Sequence, residues 1–309
     1  MNSEQLFGSN LVAMVTPMGA GHGLDESSLD QLVEHLIATR CDGIVVAGTA
    51  GEAPTLTETE TAALIESVAA KANGRARVIA GVGTNDTASS VARARRAQSA
   101  GADALLVVCP YYSRPTQAGI VAHCMAVADA TDLPVMLYDV PARAGTAMDP
   151  ATLVELAGHP NIRAVKDAKG DLFEAMSMMS RTSLDYYCGI DELNLPYLAI
   201  GAAGLVSVVG NIVAEQNAEL IQLVRDGDLE SARRLQRGLL PFTDAVMRTS
   251  QGAIMAKVAL HALGIIDAAA VRLPLLESPQ EHVQRLAATL PHLPMTSRPA
   301  RTIESVSMP

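Results

Sequence analysis

Residues 135–166 read VMLYDVPARAGTAMDPATLVELAGHPNIRAVK, and the order of residue types in this stretch decides the fold. It opens on an apolar run, Val135-Met136-Leu137-Tyr138, and closes on a second, Ile162-Arg163-Ala164-Val165-Lys166. Between them Pro150 precedes residues 151–156, a helix-like segment with proline at its opening, where a missing N–H costs nothing. Runs that are continuously apolar rather than alternating suit parallel strands covered on both faces. Strand, helix and strand in this order make one βαβ unit.

The unit recurs in both directions. Strand-like runs at 11–16, 43–46, 78–81 and 104–108 come before it, and runs at 185–188 and 204–207 follow. Helix-like segments separate them. Thr57 and Glu60 carry the spacing of a capping box ahead of Ala62-Ala63-Leu64-Ile65, and Gly101 is placed to stop a helix ending near Ala100. Eight such units predict an α/β protein, a closed (β/α)8 TIM barrel, although periodicity alone leaves a doubly wound sheet open. Beyond residue 207 the pattern is helical at 215–225, 229–248, 254–263 and 280–290. The first of these completes the barrel. The expected organisation is a barrel over 1–225, a C-terminal helical extension of the same domain over 226–292, and a polar tail over 293–309 that frays.

Composition narrows the function. The chain has 309 residues, 49% of them hydrophobic, enough for one barrel-sized core. A formal net charge of −10 and the lack of any Lys/Arg run argue against a nucleic-acid partner. Arg93, Arg95 and Arg96, like Arg233 and Arg234, read as solvated helix faces. Cys41, Cys109, Cys124 and Cys188 show no metal or redox spacing and read as small buried thiols in a reduced protein. The start, MNSEQLFGSN, lacks a signal-peptide pattern, and no apolar run reaches ~18 residues, so a cytoplasmic protein without a membrane span is expected. The two Gly-x-Gly sequences do not continue to a third glycine at dinucleotide spacing, and the histidines form no metal pair. Neither a cofactor nor a metal is expected.

A barrel presents its chemistry at the carboxyl ends of its strands. Of the four lysines, Lys71, Lys166, Lys169 and Lys257, only Lys166 closes an apolar strand. Burial there disfavours the ammonium form and frees an amine to attack a carbonyl, the alternative being a lysine paired with Asp167 or a neighbouring acid. Tyr138 ends the preceding strand, where a phenol can shuttle protons for that amine or simply pack. Arg143, on the loop above, has the fork that holds a carboxylate bidentately. Gly48-Thr49-Ala50-Gly51-Glu52 follows the second strand, and its small residues allow a nest of amides for an anion. Pro110-Tyr111-Tyr112-Ser113-Arg114-Pro115 reads as a stiff exposed loop, more suited to an interface than to a site.

Together, Gly-Thr-x-Gly-Glu at 48–52, Pro-Tyr-Tyr-x-x-Pro at 110–115, Tyr-Asp-x-Pro at 138–141 and Lys-Asp at 166–167 resemble the dihydrodipicolinate synthase/N-acetylneuraminate lyase family of pyruvate-dependent class I aldolases. The likeness runs from about Leu11 to Leu275. It is greatest to the synthase branch as found in actinobacteria, through residues 127–134, 159–162, 166–171 and 193–196. The resemblance implies that Lys166 forms a Schiff base with pyruvate, and that Tyr138, Thr49 and Tyr112 form a proton relay, Tyr112 reaching across a dimer interface. Arg143 would then take the carboxylate of an aldehyde, aspartate semialdehyde, while Ala50, Val206 and Gly189 belong to the substrate-binding set. It also implies a homotetramer built as a dimer of dimers, with small-molecule substrates as the only other partners. Three positions depart from the family pattern: Ala50 for a second threonine, Ile190 for an aspartate, and Ala144 for a hydroxyl residue. Those departures keep two alternatives open, a related lyase or dehydratase acting on a 2-oxo sugar acid, and a catalytically silent paralogue. In relatives that lysine inhibits, the effector binds beside the equivalents of Asn85 and Tyr111. Glu58 and Ser89 stand here in place of the histidine and glutamate ligands, which predicts a weak response to lysine.

Overall fold

The computed structural model describes residues 6–294. Among them, β1 Asn10–Ala13, β2 Gly43–Val46, β3 Arg77–Gly81, β4 Ala104–Val108, β5 Val135–Asp139, β6 Ile162–Asp167, β7 Asp185–Cys188 and β8 Gly204–Ser207 pair in sequence order into a closed barrel. All the ladders are parallel, and the last sets Leu11 of β1 opposite Val206 of β8. The expected TIM barrel is therefore the fold. One strand is shorter than predicted: residues 14–16 leave the sheet after Ala13. Met14 still donates to the Val45 carbonyl of β2 at 3.1 Å, and the Thr16 hydroxyl reaches the loop that follows β2, donating to the Gly51 carbonyl at 2.7 Å.

The helices are α1 Glu26–Ala38, α2 Glu58–Ala72, α3 Thr87–Ser99, α4 Gln117–Ala128, a short α5 Pro141–Ala144 at the mouth, α6 Pro150–Leu156, α7 Leu172–Arg181, α8 Asn194–Ala199 and α9 Gly210–Arg225, the long ones covering the outside of the barrel. The capping box of α2 forms as its spacing predicted, with the Thr57 hydroxyl taking the Glu60 amide at 3.1 Å and Glu60 taking the Thr57 amide at 2.9 Å. Helix α9 starts five residues before the expected 215, because Gly210–Ala214 is wholly buried and, apart from Asn211, apolar, and so lacks the polar face that marks a surface helix. α10 Leu229–Met247, α11 Gly252–Ala262 and α12 Gln280–Ala287 follow close to the expected bounds. The expected frayed tail lies outside the described residues from 295 onward.

Strand periodicity sorts the core into two layers. Leu11, Val45, Ile79, Leu106, Met136, Ala164, Tyr187 and Val206 point inward and fill the barrel. Val12, Ile44, Val46, Val78, Leu105, Leu137 and Val165 point outward beneath the helices. Phe7, fully buried, joins the inner set and meets the edge of the Tyr187 ring at 6.2 Å between centroids, while the Tyr187 hydroxyl donates to the Gly8 carbonyl at 2.8 Å.

Candidate active site

The register of β5 against β6 sets Tyr138 directly opposite Lys166, so both side chains leave the sheet on the same face at the same height. The inner face of a barrel strand at its carboxyl end is the mouth. Lys166 is 5% and Tyr138 6% exposed, and the Lys166 ammonium lies 4.2 Å from the centroid of the tyrosine ring. Gly189, just past β7, backs the lysine stem: a β-carbon there would lie 3.1 Å from both Cγ and Cε of Lys166. The structure thus brings Lys166, Tyr138 and Gly189 into one packed group.

The rival reading of Lys166, a pair with Asp167, is not what forms. Adjacent residues of a strand face opposite sides. Asp139 and Asp167 point outward, away from the mouth, and the cation they meet is Lys169 on the loop after β6. Its ammonium lies 3.2 Å from Asp139 Oδ2 and also pairs with Glu174, and its amide donates to Asp167 Oδ1 at 2.8 Å. Burial pushes the Asp139 carboxyl up to about 6 against the opposing pull of Lys169, and burial raises Asp167 as well. For Lys169 the same burial works against the charge, but Asp139 and Glu174 outweigh it and raise its pKa. A layer of paired charge therefore stands behind the strands that carry Lys166 and Tyr138.

Thr49, Tyr138 and Arg143 line a single cavity of about 440 Å3. It reaches from the Gly48-Thr49 turn past Val140 and Ala144 to Asn85, Ser89, Arg93 and Tyr111. Arg143 is held there by α5, a single turn that Pro141 opens and Gly145 ends at φ +80. Arg93, expected on a solvated face, is only half-buried and borders this cavity instead. The turn itself runs between two left-handed residues, Ala47 at φ 52 and Glu52 at φ 58. It fits closely over β3, where a β-carbon on Gly81 would come within 2.2 Å of the Ala47 carbonyl oxygen. Among the described residues, no hydrogen-bond partner is found for the amides of Thr49 and Ala50, which leaves both donors free for an anion.

The remaining expected residues are spread out. Ala50 is buried in the inner core with Val206, on the side of the mouth where β1, β2 and β8 end. Tyr112 lies away from this group: its side chain is 89% exposed on the loop after β4, at φ 71. Ile190, the apolar replacement, packs against Gly170, and the loop after β7 is tied instead by its neighbour Asp191. That buried carboxylate takes the amides of Val208 and Val209 at 3.0 and 3.2 Å and the Ser207 hydroxyl, fixing the end of β8 beside Val206. Burial raises its pKa, with Ser207 the foremost opposing influence. Glu58, the substitute charge, is engaged by Arg96 on the protein surface.

Sequence reasoning passed over Lys257 and Glu52. Both are fully buried and paired with each other. A signal was present, since Lys257 is the one charge in the apolar stretch Ile254-Met255-Ala256-Lys257-Val258-Ala259-Leu260. A lone lysine on an apolar helix needs a buried partner. Among the described residues no cluster of His, Cys, Asp and Glu is arranged to hold a metal ion, and no helix is long and apolar enough to cross a membrane.

Known proteins resemble this chain over most of its length. The model of the dihydrodipicolinate synthetase family matches residues 6–293. The chain is 49% identical over 281 residues to the 4-hydroxy-tetrahydrodipicolinate synthase of Acidothermus cellulolyticus, covering 91% of this chain and 90% of that one. It is 45% identical over 283 residues to the enzyme of the same name from Mycolicibacterium paratuberculosis, covering 92% and 94%. The crystal structure of dihydrodipicolinate synthase from Bacillus anthracis superposes with a TM-score of 0.89 at 36% identity, over 92% of this chain and 98% of that one.

Proposed function

The chain belongs to the dihydrodipicolinate synthetase family, and on that premise we propose that it is a lyase with 4-hydroxy-tetrahydrodipicolinate synthase activity, joining pyruvate to aspartate semialdehyde through a Schiff base on Lys166. The observation that carries this reading is the Lys166–Tyr138 pair, an amine and a phenol register-matched at the mouth of the barrel. The Lys166 amine adds to the keto carbon of pyruvate, and loss of water leaves an imine. A proton then leaves the methyl carbon to give an enamine, whose carbon attacks the aldehyde. Attack of the aldehyde partner's own amine on the imine carbon closes the ring and releases Lys166 unchanged. Each proton transfer suits the Tyr138 hydroxyl, with Thr49 beside it on the same cavity wall.

The turn at 48–52 supplies amides for the pyruvate carboxylate near Ala50, with Val206 and Gly189 closing the pocket. Arg143, exposed at the rim of the cavity, has the geometry to take the carboxylate of the aldehyde. Tyr112, exposed and outside the cavity lining of its own protomer, completes the relay of a second copy in a dimer of dimers. The reading places the protein in the cytoplasm, in lysine and diaminopimelate biosynthesis, with no cofactor beyond the covalent lysine. Its barrel and helical extension act as one domain. Ala50 and Ala144 favour a second reading of the aldehyde alone, a partner other than aspartate semialdehyde, because each removes a hydroxyl from the family pattern.

Borohydride reduction in the presence of pyruvate tests the mechanism. It should add one stable mass to the tryptic peptide containing Lys166. Labelling at Lys169 or Lys257, or none, would overturn it. A panel of aldehydes in the condensation assay then decides the second substrate.

A further inference from the structure

We propose that the buried Lys257–Glu52 pair is a positioning device for the pyruvate-binding turn, so that the C-terminal extension forms part of the substrate site; this deepens the Schiff-base reading and rests on it. Glu52 closes the turn that presents Thr49 and Ala50, and it does so in a left-handed conformation that costs free energy for a residue with a β-carbon. Such a conformation persists only where surrounding contacts over-determine it. Among the described residues, the hydrogen bonds to the Glu52 carboxylate come from residues 257–272. Oε1 takes the Lys257 ammonium of α11, and Oε2 takes the Arg272 amide at 2.9 Å. The same ammonium donates to the Ala270 carbonyl at 2.7 Å. Arg272 then clamps the far side of the turn, donating to the Thr55 carbonyl at 2.8 Å and pairing with Glu60 of α2.

Stability is a poor account of this pair. Both side chains are wholly buried, and the cost of desolvating two charges offsets most of their attraction, so an apolar pair of equal volume serves the fold as well. Burial accordingly lowers the Lys257 pKa, with Glu52 opposing. A fixed distance between charges supplies what apolar packing does not, a single register for the backbone beside it. That backbone includes the free amides of Thr49 and Ala50. The barrel strands fix Lys166 and Tyr138 without help, so the extension controls the carboxylate end of pyruvate and leaves its carbonyl end alone.

The test replaces the ion pair with apolar residues of similar size in the double variant Glu52→Leu/Lys257→Met. Three quantities are read: the melting temperature, the KM for each substrate, and the pyruvate concentration giving half-maximal borohydride trapping on Lys166. A misplaced amide loses about one hydrogen bond to a charged group, or roughly tenfold in affinity. We expect KM for pyruvate and the half-trapping concentration both to rise about tenfold, with KM for the aldehyde unmoved and kcat changed less than threefold. Should the double variant fail to fold, Glu52→Asp decides the matter, since it keeps the charge but withdraws it by one methylene. The same pyruvate-selective rise is expected there. A folded variant of either kind with unchanged pyruvate half-trapping overturns the proposal, as does an equal rise in both KM values. Failure to trap pyruvate on Lys166 in the unaltered protein overturns the Schiff-base reading instead, so the two failures are distinguishable.

Discussion

Replacing Gly189 with alanine probes how tightly Lys166 is held. The new β-carbon would stand 3.0 Å from the Asp167 carbonyl oxygen and 3.1 Å from both Cγ and Cε of Lys166. Ordinary carbon–carbon contacts lie at about 3.5–4.0 Å, so the overlap amounts to roughly half an ångström. The Asp167 carbonyl cannot retreat easily, because it accepts the Gly189 amide at 2.8 Å between β6 and β7. The lysine stem must move instead, and the Tyr138 ring 4.2 Å from its ammonium limits where it can go. Misplacing a reacting group by about 1 Å costs about 100-fold, so half that displacement predicts a loss of about tenfold in kcat, or about 1.4 kcal/mol in the barrier. Gly189 is not in the left-handed region, so alanine adds no conformational strain to the backbone, and a fall in melting temperature would report the crowding alone. Steady-state condensation kinetics, thermal melting and the rate of borohydride trapping together make the assay. A folded Gly189→Ala protein with kcat and trapping rate within twofold of the parent would refute the argument, showing that Gly189 does not confine Lys166.

Tyr138→Phe keeps the ring under the ammonium and removes only the hydroxyl, so turnover should fall about 10²–10⁴-fold while pyruvate trapping persists; an unchanged kcat would make Tyr138 a packing residue. Asp139 offers a test by pH. Burial raises its folded pKa to about 6 from 3.8, so its contribution to stability is fully present below about pH 4 and is lost as pH rises through 6. The loss is on the order of 3 kcal/mol. Melting temperatures between pH 4 and 7 should fall for the parent and stay flatter for Asp139→Asn, and parallel curves would show that Asp139 stays ionised throughout. Lysine should inhibit condensation weakly, because Glu58 is already paired with Arg96 and Ser89 offers an ammonium only a neutral dipole. Strong inhibition by submillimolar lysine at saturating pyruvate would mean that other residues have rebuilt the site.

The barrel was legible in the sequence because parallel strands buried on both faces need continuous apolar runs, and each run keeps that signature whatever it pairs with. Residues 43–46, 104–108, 185–188 and 204–207 were placed to the residue. Lys166 was legible for the same reason, as a charge ending such a run. Partnerships were not legible, since a side chain's chemistry is local while its partner is chosen by closure of the whole barrel. Lys166 and Asp167 are adjacent in the chain, yet strand alternation turns one into the mouth and the other toward Lys169. Lys257 read as one more helical lysine until α11 folded back and brought it against Glu52, 205 residues away in sequence. Burial depends on every element that packs over a site, so only the tertiary structure could decide which of the four lysines are free to react and which are held as struts.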